Sequence, residues 1–467
     1  MTIMAFARLL ETKSHLIPGR LSVSELRFEV PKDYSNPSAG TIQVFARSVT
    51  RHESPTVPLS GEEAQSKSQK PWFVYLQGGP GSGCPPPQNY PLTNAVLEKG
   101  YQMLYMDQRG TGLSTPVSAA TLALQGDAQK QADYLKLFRA DNIVRDAEAI
   151  RKTLTKDYPA GLKKWSIFGQ SYGGFCALTY LSRSPQGLRE VFTAGGLAPV
   201  GRSAEEVYQA TYRKVIERGR AYYTKYPEDI EIVQDLAFHI KSQGGIQLPS
   251  GATLTVRVFL TLGRAFGMHS GIDLVHDHVY RMKSDLEQFG FITRPTLSAL
   301  ESSLTIDDTV IYAILHESIY CEGTASRWAA DRVGKALKEF QWLSPTPSSP
   351  TAVRATPLYW SGEMIYPFMF ENSRELERIR PAAEILAEYS EWPPLYDEWQ
   401  LARNEVPVYA ATYLEDMYVD FGLAQETAKK VKNCKQFITN IIYHDGARTK
   451  NEEVMKQLFA LRDDSID

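Results

Sequence analysis

The chain has 467 residues, of which 43% are apolar and 22% charged, and its formal net charge is −3. That balance belongs to a globular protein with room for a large core, and it lacks the basic excess of a nucleic-acid binder. No apolar run approaches the roughly 18–20 residues that cross a bilayer, and residues 1–11 carry one Arg and no small-residue cleavage pattern, so a soluble, cytoplasmic protein is expected. The four cysteines, Cys84, Cys176, Cys321 and Cys434, are too scattered for a zinc site or a disulfide framework and suit a reducing compartment.

Taken in order, Leu26–Val30 and Thr41–Val49 alternate apolar and polar residues around a Pro/Asn turn, which predicts an antiparallel hairpin. Residues 53–70 are rich in Ser, Glu, Lys and Pro and read as an exposed loop. The apolar run Trp72–Gln77 stops at Gly78-Gly79-Pro80-Gly81, and Gln102–Met106 stops at Asp107-Gln108-Arg109-Gly110-Thr111-Gly112, as buried strands do. Asp141 is the expected cap of a helix carrying Ile143, Val144, Ala147, Ile150 and Leu154. Strands follow at Lys164–Phe168 and Val191–Ala194, with a helix over Phe175–Ser182. Strands alternating with helices imply a mostly parallel sheet. From about 200 to 400 the pattern turns helical, with a polar loop at 344–350, and strands return at Val406–Tyr413 and Gln436–Tyr443. Helices are predicted at Ala424–Val431 and Val454–Leu461, the latter with Asn451 as its cap. The fold class is therefore α/β: a core of 1–199 and 400–467, interrupted by a mainly helical cap of 200–399.

Gly169-Gln170-Ser171-Tyr172-Gly173 joins a strand to a helix in the form G-x-S-x-G, where small residues permit the sharp turn that lifts a serine hydroxyl for attack. Such a serine needs a base, and the base needs an acid, in the chain order Ser, Asp or Glu, His. His444 is the only histidine beyond His316 and follows the last predicted strand. Asp416, about three residues past the preceding strand, is the preferred acid, with Glu415 and Asp420 competing. The developing oxyanion requires fixed N–H donors. Tyr172 N–H is one, and Gly78 or Gly79 supplies the other.

Gln77-Gly78-Gly79-Pro80-Gly81, Asp107-Gln108-Arg109-Gly110-Thr111-Gly112-Leu113-Ser114, Gly169-Gln170-Ser171-Tyr172-Gly173-Gly174 and His444-Asp445-Gly446-Ala447-Arg448 together resemble the core motifs of proline iminopeptidases. These are prolyl aminopeptidases of the α/β-hydrolase fold, and the longer late segments resemble the larger subtype. Two departures are Gln77, where the family usually has His, and Ala447, where Leu is common. The resemblance implies that cap glutamates hold the substrate ammonium, at positions matching Glu317 and Glu363, with Glu322 a weaker candidate. An apolar pocket for the proline ring would draw on Tyr320, Trp328, Tyr359, Trp360, Tyr366, Phe368 or Phe370.

The expected activity is release of N-terminal proline from peptides, needing no metal or organic cofactor and no nucleic-acid or membrane partner. The alternatives are a broad aminopeptidase or esterase of the same fold and a non-catalytic hydrolase-like receptor. An epoxide hydrolase is disfavoured, because it would need a carboxylate at Ser171. Cys84, three residues past Gly81, is expected to be sensitive to thiol reagents if it faces the site.

Overall fold

The computed structural model describes residues 6–53, 61, 69–344 and 357–464. Most of the polar stretches 53–70 and 344–350, and the first five residues of 1–11, lie outside the described residues.

A nine-stranded sheet runs in the order β1-β2-β3-β5-β4-β6-β7-β10-β11. Its strands are β1 (Arg8–Ile17), β2 (Leu21–Pro31), β3 (Thr41–Arg51), β4 (Trp72–Leu76), β5 (Gln102–Met106), β6 (Trp165–Gln170), β7 (Leu188–Ala194), β10 (Val408–Tyr413) and β11 (Cys434–Thr439). Every residue of β4 and β5 is buried, as strands covered on both faces must be. From β5 to β11 all pairings are parallel, and β1, β2 and β3 add an antiparallel margin. The outermost strand, β1, is exposed along almost its whole length, and its Arg8, Glu11 and Lys13 blunt an edge that could otherwise pair with another chain.

Helices α1 (Ala140–Leu154) and α2 (Tyr172–Arg183) follow the first parallel strands. Between β7 and β10 lie α3 (Ala204–Lys225), α4 (Asp229–Ser242), the small hairpin β8 (Ile246–Gln247) and β9 (Thr253–Leu254), then α5 (Gly271–Phe289), α6 (Arg294–Leu304), α7 (Val310–Leu315) and α8 (Ala329–Lys335). Helices α9 (Phe421–Lys430) and α10 (Asn451–Asp463) complete the sheet's flanks. One apolar cluster joins Phe175 and Tyr180 of α2 to Tyr208 and Tyr212 of α3 and to Phe266 and Trp360 beyond it. The interior is rich in phenols: Tyr75, Tyr105, Tyr180, Tyr208 and Tyr212 are all almost wholly enclosed.

Some local expectations shift. The last strand ends at Thr439 rather than Tyr443: its partner β10 stops opposite it at Tyr413, and Ile441 turns outward to 76% exposure. Arg139, in extended backbone, occupies the cap position of α1, and Asp141 falls inside the first turn, where its charge still suits the positive helix end. Asn451 is likewise the first residue of α10 and donates to Ala447 O at 2.8 Å.

Candidate active site

Ser171 stands between β6 and α2 with φ 53° and ψ −125°, a left-handed backbone that a non-glycine residue adopts only under constraint. Its N–H donates to Ala194 O at 3.1 Å, which ties the turn to the end of β7. Gly78 lies against it: a Cβ there would come within 3.0 Å of Ser171 Cβ, so only glycine lets the loop after β4 approach the hydroxyl. The N–H of Tyr172 opens α2 and is one of the helix-end donors without an intrahelical acceptor.

The loop after β4 is held by its own Gln77. Gln77 Oε1 accepts from Gly78 N–H at 3.0 Å and lies 2.6 Å from Tyr75 Oη, while Nε2 donates to Gly83 O at 3.1 Å. Gly78 N–H is thus already engaged by Gln77. Asp107 fastens the far side: its carboxylate accepts from Cys84 N–H at 2.7 Å and from Leu113 N–H at 2.8 Å. The Cys84 thiol donates to Met106 O at 3.3 Å. Burial, with Asp107 beside it, raises its pKa well above the usual thiol range.

After β10, Asp416 is buried and its Oδ2 lies 2.8 Å from His444 Nδ1. Its Oδ1 accepts from Tyr418 N–H and Val419 N–H, both at 2.9 Å, so backbone donors fix the carboxylate. Of the competing acids, Asp420 caps α9 through Leu423 N–H at 3.0 Å, and Glu415 pairs with Lys214 at 3.5 Å. The turn at Gly195 and Gly196 touches both halves of the site. Gly195 has φ +53°, and a Cβ on it would come within 3.1 Å of His444 Nδ1 and 3.2 Å of Asp416 Oδ2; one on Gly196 would meet Ser171 O at 2.9 Å. Burial opposes charge on His444, but Asp416, with Glu363 and Asp445 behind it, outweighs burial and raises its pKa.

The helical insertion braces this end. His444 N–H donates to Gly267 O at 3.2 Å, His269 Nδ1 lies 2.6 Å from Asp445 Oδ1, and Tyr418, whose ring packs 4.7 Å from His444, donates to Arg264 O. Glu363 is half-buried, its Oε1 accepts from Tyr312 Oη at 3.0 Å, and its Oε2 lies 3.9 Å from His316 Nε2. Burial would raise its pKa, yet His316 and His444 together hold it below the usual carboxylate range. Glu317 is placed differently. Its oxygens accept from Ala330 N–H at 2.9 Å and Ala329 N–H at 3.2 Å, so it caps α8, and burial pushes its pKa up. Glu322 holds a loop through the N–H groups of Leu395 and Tyr396.

Among the seven aromatics expected near the proline ring, Trp360, Tyr366, Phe368 and Phe370 are core residues. Tyr320 is close enough to Glu363 and Asp416 for both to act on its phenol, and its ring packs 6.1 Å from Phe175. Sequence reasoning missed Tyr312, His316, Tyr418 and Gly195. The four-residue spacing of Tyr312, His316 and Tyr320 was the available signal that their rings meet, where α7 ends and a 3-10 turn over Glu317–Tyr320 follows.

Residues 71–227 match the family model described as the alpha/beta hydrolase fold, and with this sheet and elbow the chain is a hydrolase of that class. It is 45% identical over 464 residues to proline iminopeptidase aneH of Aspergillus aculeatus, covering 99% of both chains. It is 40% identical over 439 residues to a proline iminopeptidase of Aeromonas sobria, covering 94% of this chain and 96% of that one. The chain belongs to the proline iminopeptidase family. A crystal structure of proline iminopeptidase from Mycobacterium smegmatis aligns with 90% of this chain and 95% of its own, at 13% identity and a TM-score of 0.41.

Proposed function

We propose that this chain is a serine exopeptidase that releases N-terminal proline from peptides, with residues 200–399 serving as the cap that recognises the free N-terminus. The observation that carries the reading is Glu363, a half-buried carboxylate that accepts from Tyr312 Oη at 3.0 Å, lies 3.9 Å from His316 Nε2 and is near enough to His444 for each to act on the other's charge. A substrate ammonium pairs with it in this reading, and holding the free N-terminus in the site restricts cleavage to the first peptide bond. The full-length likeness to two proline iminopeptidases supports proline as that first residue. Glu317, occupied at α8, acts in this reading by shaping the cap.

Ser171 Oγ attacks the prolyl carbonyl carbon while His444 Nε2 takes its proton. Asp416 accepts from Nδ1–H, which keeps Nε2 free to act as the base and stabilises the imidazolium that forms. The N–H groups of Tyr172 and Gly79 meet the oxyanion. His444 then gives its proton to the departing amine as the C–N bond breaks. Water, deprotonated by His444, attacks the prolyl carbonyl carbon; as the ester C–O bond breaks, His444 returns that proton to Ser171 Oγ and proline is freed.

The direct test is fluorophore release from the coumarylamides of proline, alanine, leucine and N-acetylproline, with Ser171→Ala alongside. Release from free prolyl amide alone, lost in the variant, is the expected result. Hydrolysis of a simple ester with none of the amides cleaved would instead place the chain with the esterases.

A further inference from the structure

His316 is buried, and the triad chemistry proposed above gives it no task. It ends α7, so Tyr312, His316 and Tyr320 fall four residues apart on one face. Their rings meet edge to face, with centroids 4.9 Å apart for Tyr312 and His316 and 6.2 Å for His316 and Tyr320. On one side Tyr208 Oη of α3 lies 3.4 Å from His316 Nδ1; on the other, Nε2 points to Glu363 Oε2 at 3.9 Å. Tyr312 holds the second oxygen of Glu363 at 3.0 Å.

We infer that His316 is the positioning residue of the ammonium site: with Tyr208 donating to Nδ1, the imidazole carries its proton on Nε2 and aims Glu363 at the substrate N-terminus. This rests on the reading of Glu363 given above. The bond made by one ring nitrogen decides which of the two bears the proton. The ring sits 3.9 Å from Glu363 Oε2 while Tyr312 holds Oε1, so the two together orient the carboxylate toward the ligand's ammonium. A Lys or Arg at the ring's place would take the ammonium's part itself and compete with the substrate. The groups facing this cluster are Tyr208 from α3, Tyr312 and Tyr320 from its own segment, Glu317 beside His316 in sequence, Arg264 near Tyr312, and His444 across Glu363.

The test compares two substrates that differ in the ammonium, prolyl coumarylamide and p-nitrophenyl acetate, in His316→Leu, His316→Gln and Glu363→Gln. The expected result for His316→Leu is a KM for the prolyl amide raised about tenfold or more, with a smaller effect on kcat. The ratio of kcat/KM for the amide to that for the ester then falls by about the same factor. His316→Gln, which keeps an N–H donor, recovers most of that ratio. His316→Lys, made in addition, lowers the ratio further by supplying a competing cation. If Glu363→Gln lowers the ratio while His316→Leu leaves it unchanged, whether both activities persist or both collapse together, the assignment of His316 is overturned. If Glu363→Gln itself leaves the ratio unchanged, the ammonium site is elsewhere and the assignment falls with it.

Discussion

His444 has to be uncharged to take a proton from Ser171, and its surroundings set the pH at which that holds. Burial alone would favour the neutral ring, but Asp416 and the acids beyond it favour the imidazolium more, so the net shift is upward. The acidic limb of kcat/KM is therefore expected above the ordinary imidazole value of about 6.5. Asp416→Asn removes the largest favourable partner, so the limb should move to lower pH while the maximal rate falls about 10³-fold or more. A pH profile of both proteins checks this; a limb that stays in place would mean that another group controls it. The pairing of Asp416 with His444 was readable because both follow strand ends, where a parallel sheet delivers its loops to one edge. His316 and Tyr312 were not, since a helical stripe of aromatic and imidazole rings reads the same whether it faces core or ligand. Gly195 was hidden for another reason: what matters there is the side chain it lacks.

Short elements are placed by single polar side chains as much as by their apolar faces. Helix α8 begins after Trp328, whose backbone is left-handed, and Glu317 reaches across to its first two N–H groups. Glu317→Ala should cost about 1–3 kcal/mol, because two donors buried with it lose their acceptor. Glu363→Ala, in contrast, should lower activity with little loss of stability. Denaturant midpoints measured beside prolyl amidase rates separate the two; equal destabilisation by both would make Glu363 structural as well. The loop 107–114 depends on the Arg109–Asp146 pair, held by two bonds of 2.6 and 2.7 Å with almost no exposure, and removing either partner should cost about 3–5 kcal/mol. Element boundaries were less legible than element order. The fully buried β5 was delimited by its own sequence, whereas the marginal β1 shows no alternation to read because neither face is buried. Helix starts were misjudged by a residue or two at Asp141 and Asn451, where the cap belongs to Arg139 and Lys450 and a polar side chain inside the first turn looks like a cap in sequence.

At the scale of the whole molecule, the division into sheet and helical insertion is topological more than energetic. The same apolar cluster runs from Val74 and Ile167 in the strands through Phe175 to Phe266 and Trp360, and hydrogen bonds from the insertion hold the loops of Asp416 and His444. Scanning calorimetry should therefore record one unfolding transition; two well-separated transitions would show that the insertion is an independent unit. The enclosed phenols carry a further consequence. Burial raises the pKa of Tyr75, Tyr105, Tyr180, Tyr208 and Tyr212 far above the value of about 10 that an exposed tyrosine has. A group whose folded pKa is raised stabilises the fold fully below its unfolded pKa, and that contribution drains away as the pH climbs beyond it. In an alkaline titration these rings stay optically silent while the chain is folded and ionise together when it opens, so phenolate absorbance in the ultraviolet becomes a built-in recorder of the moment the interior is breached.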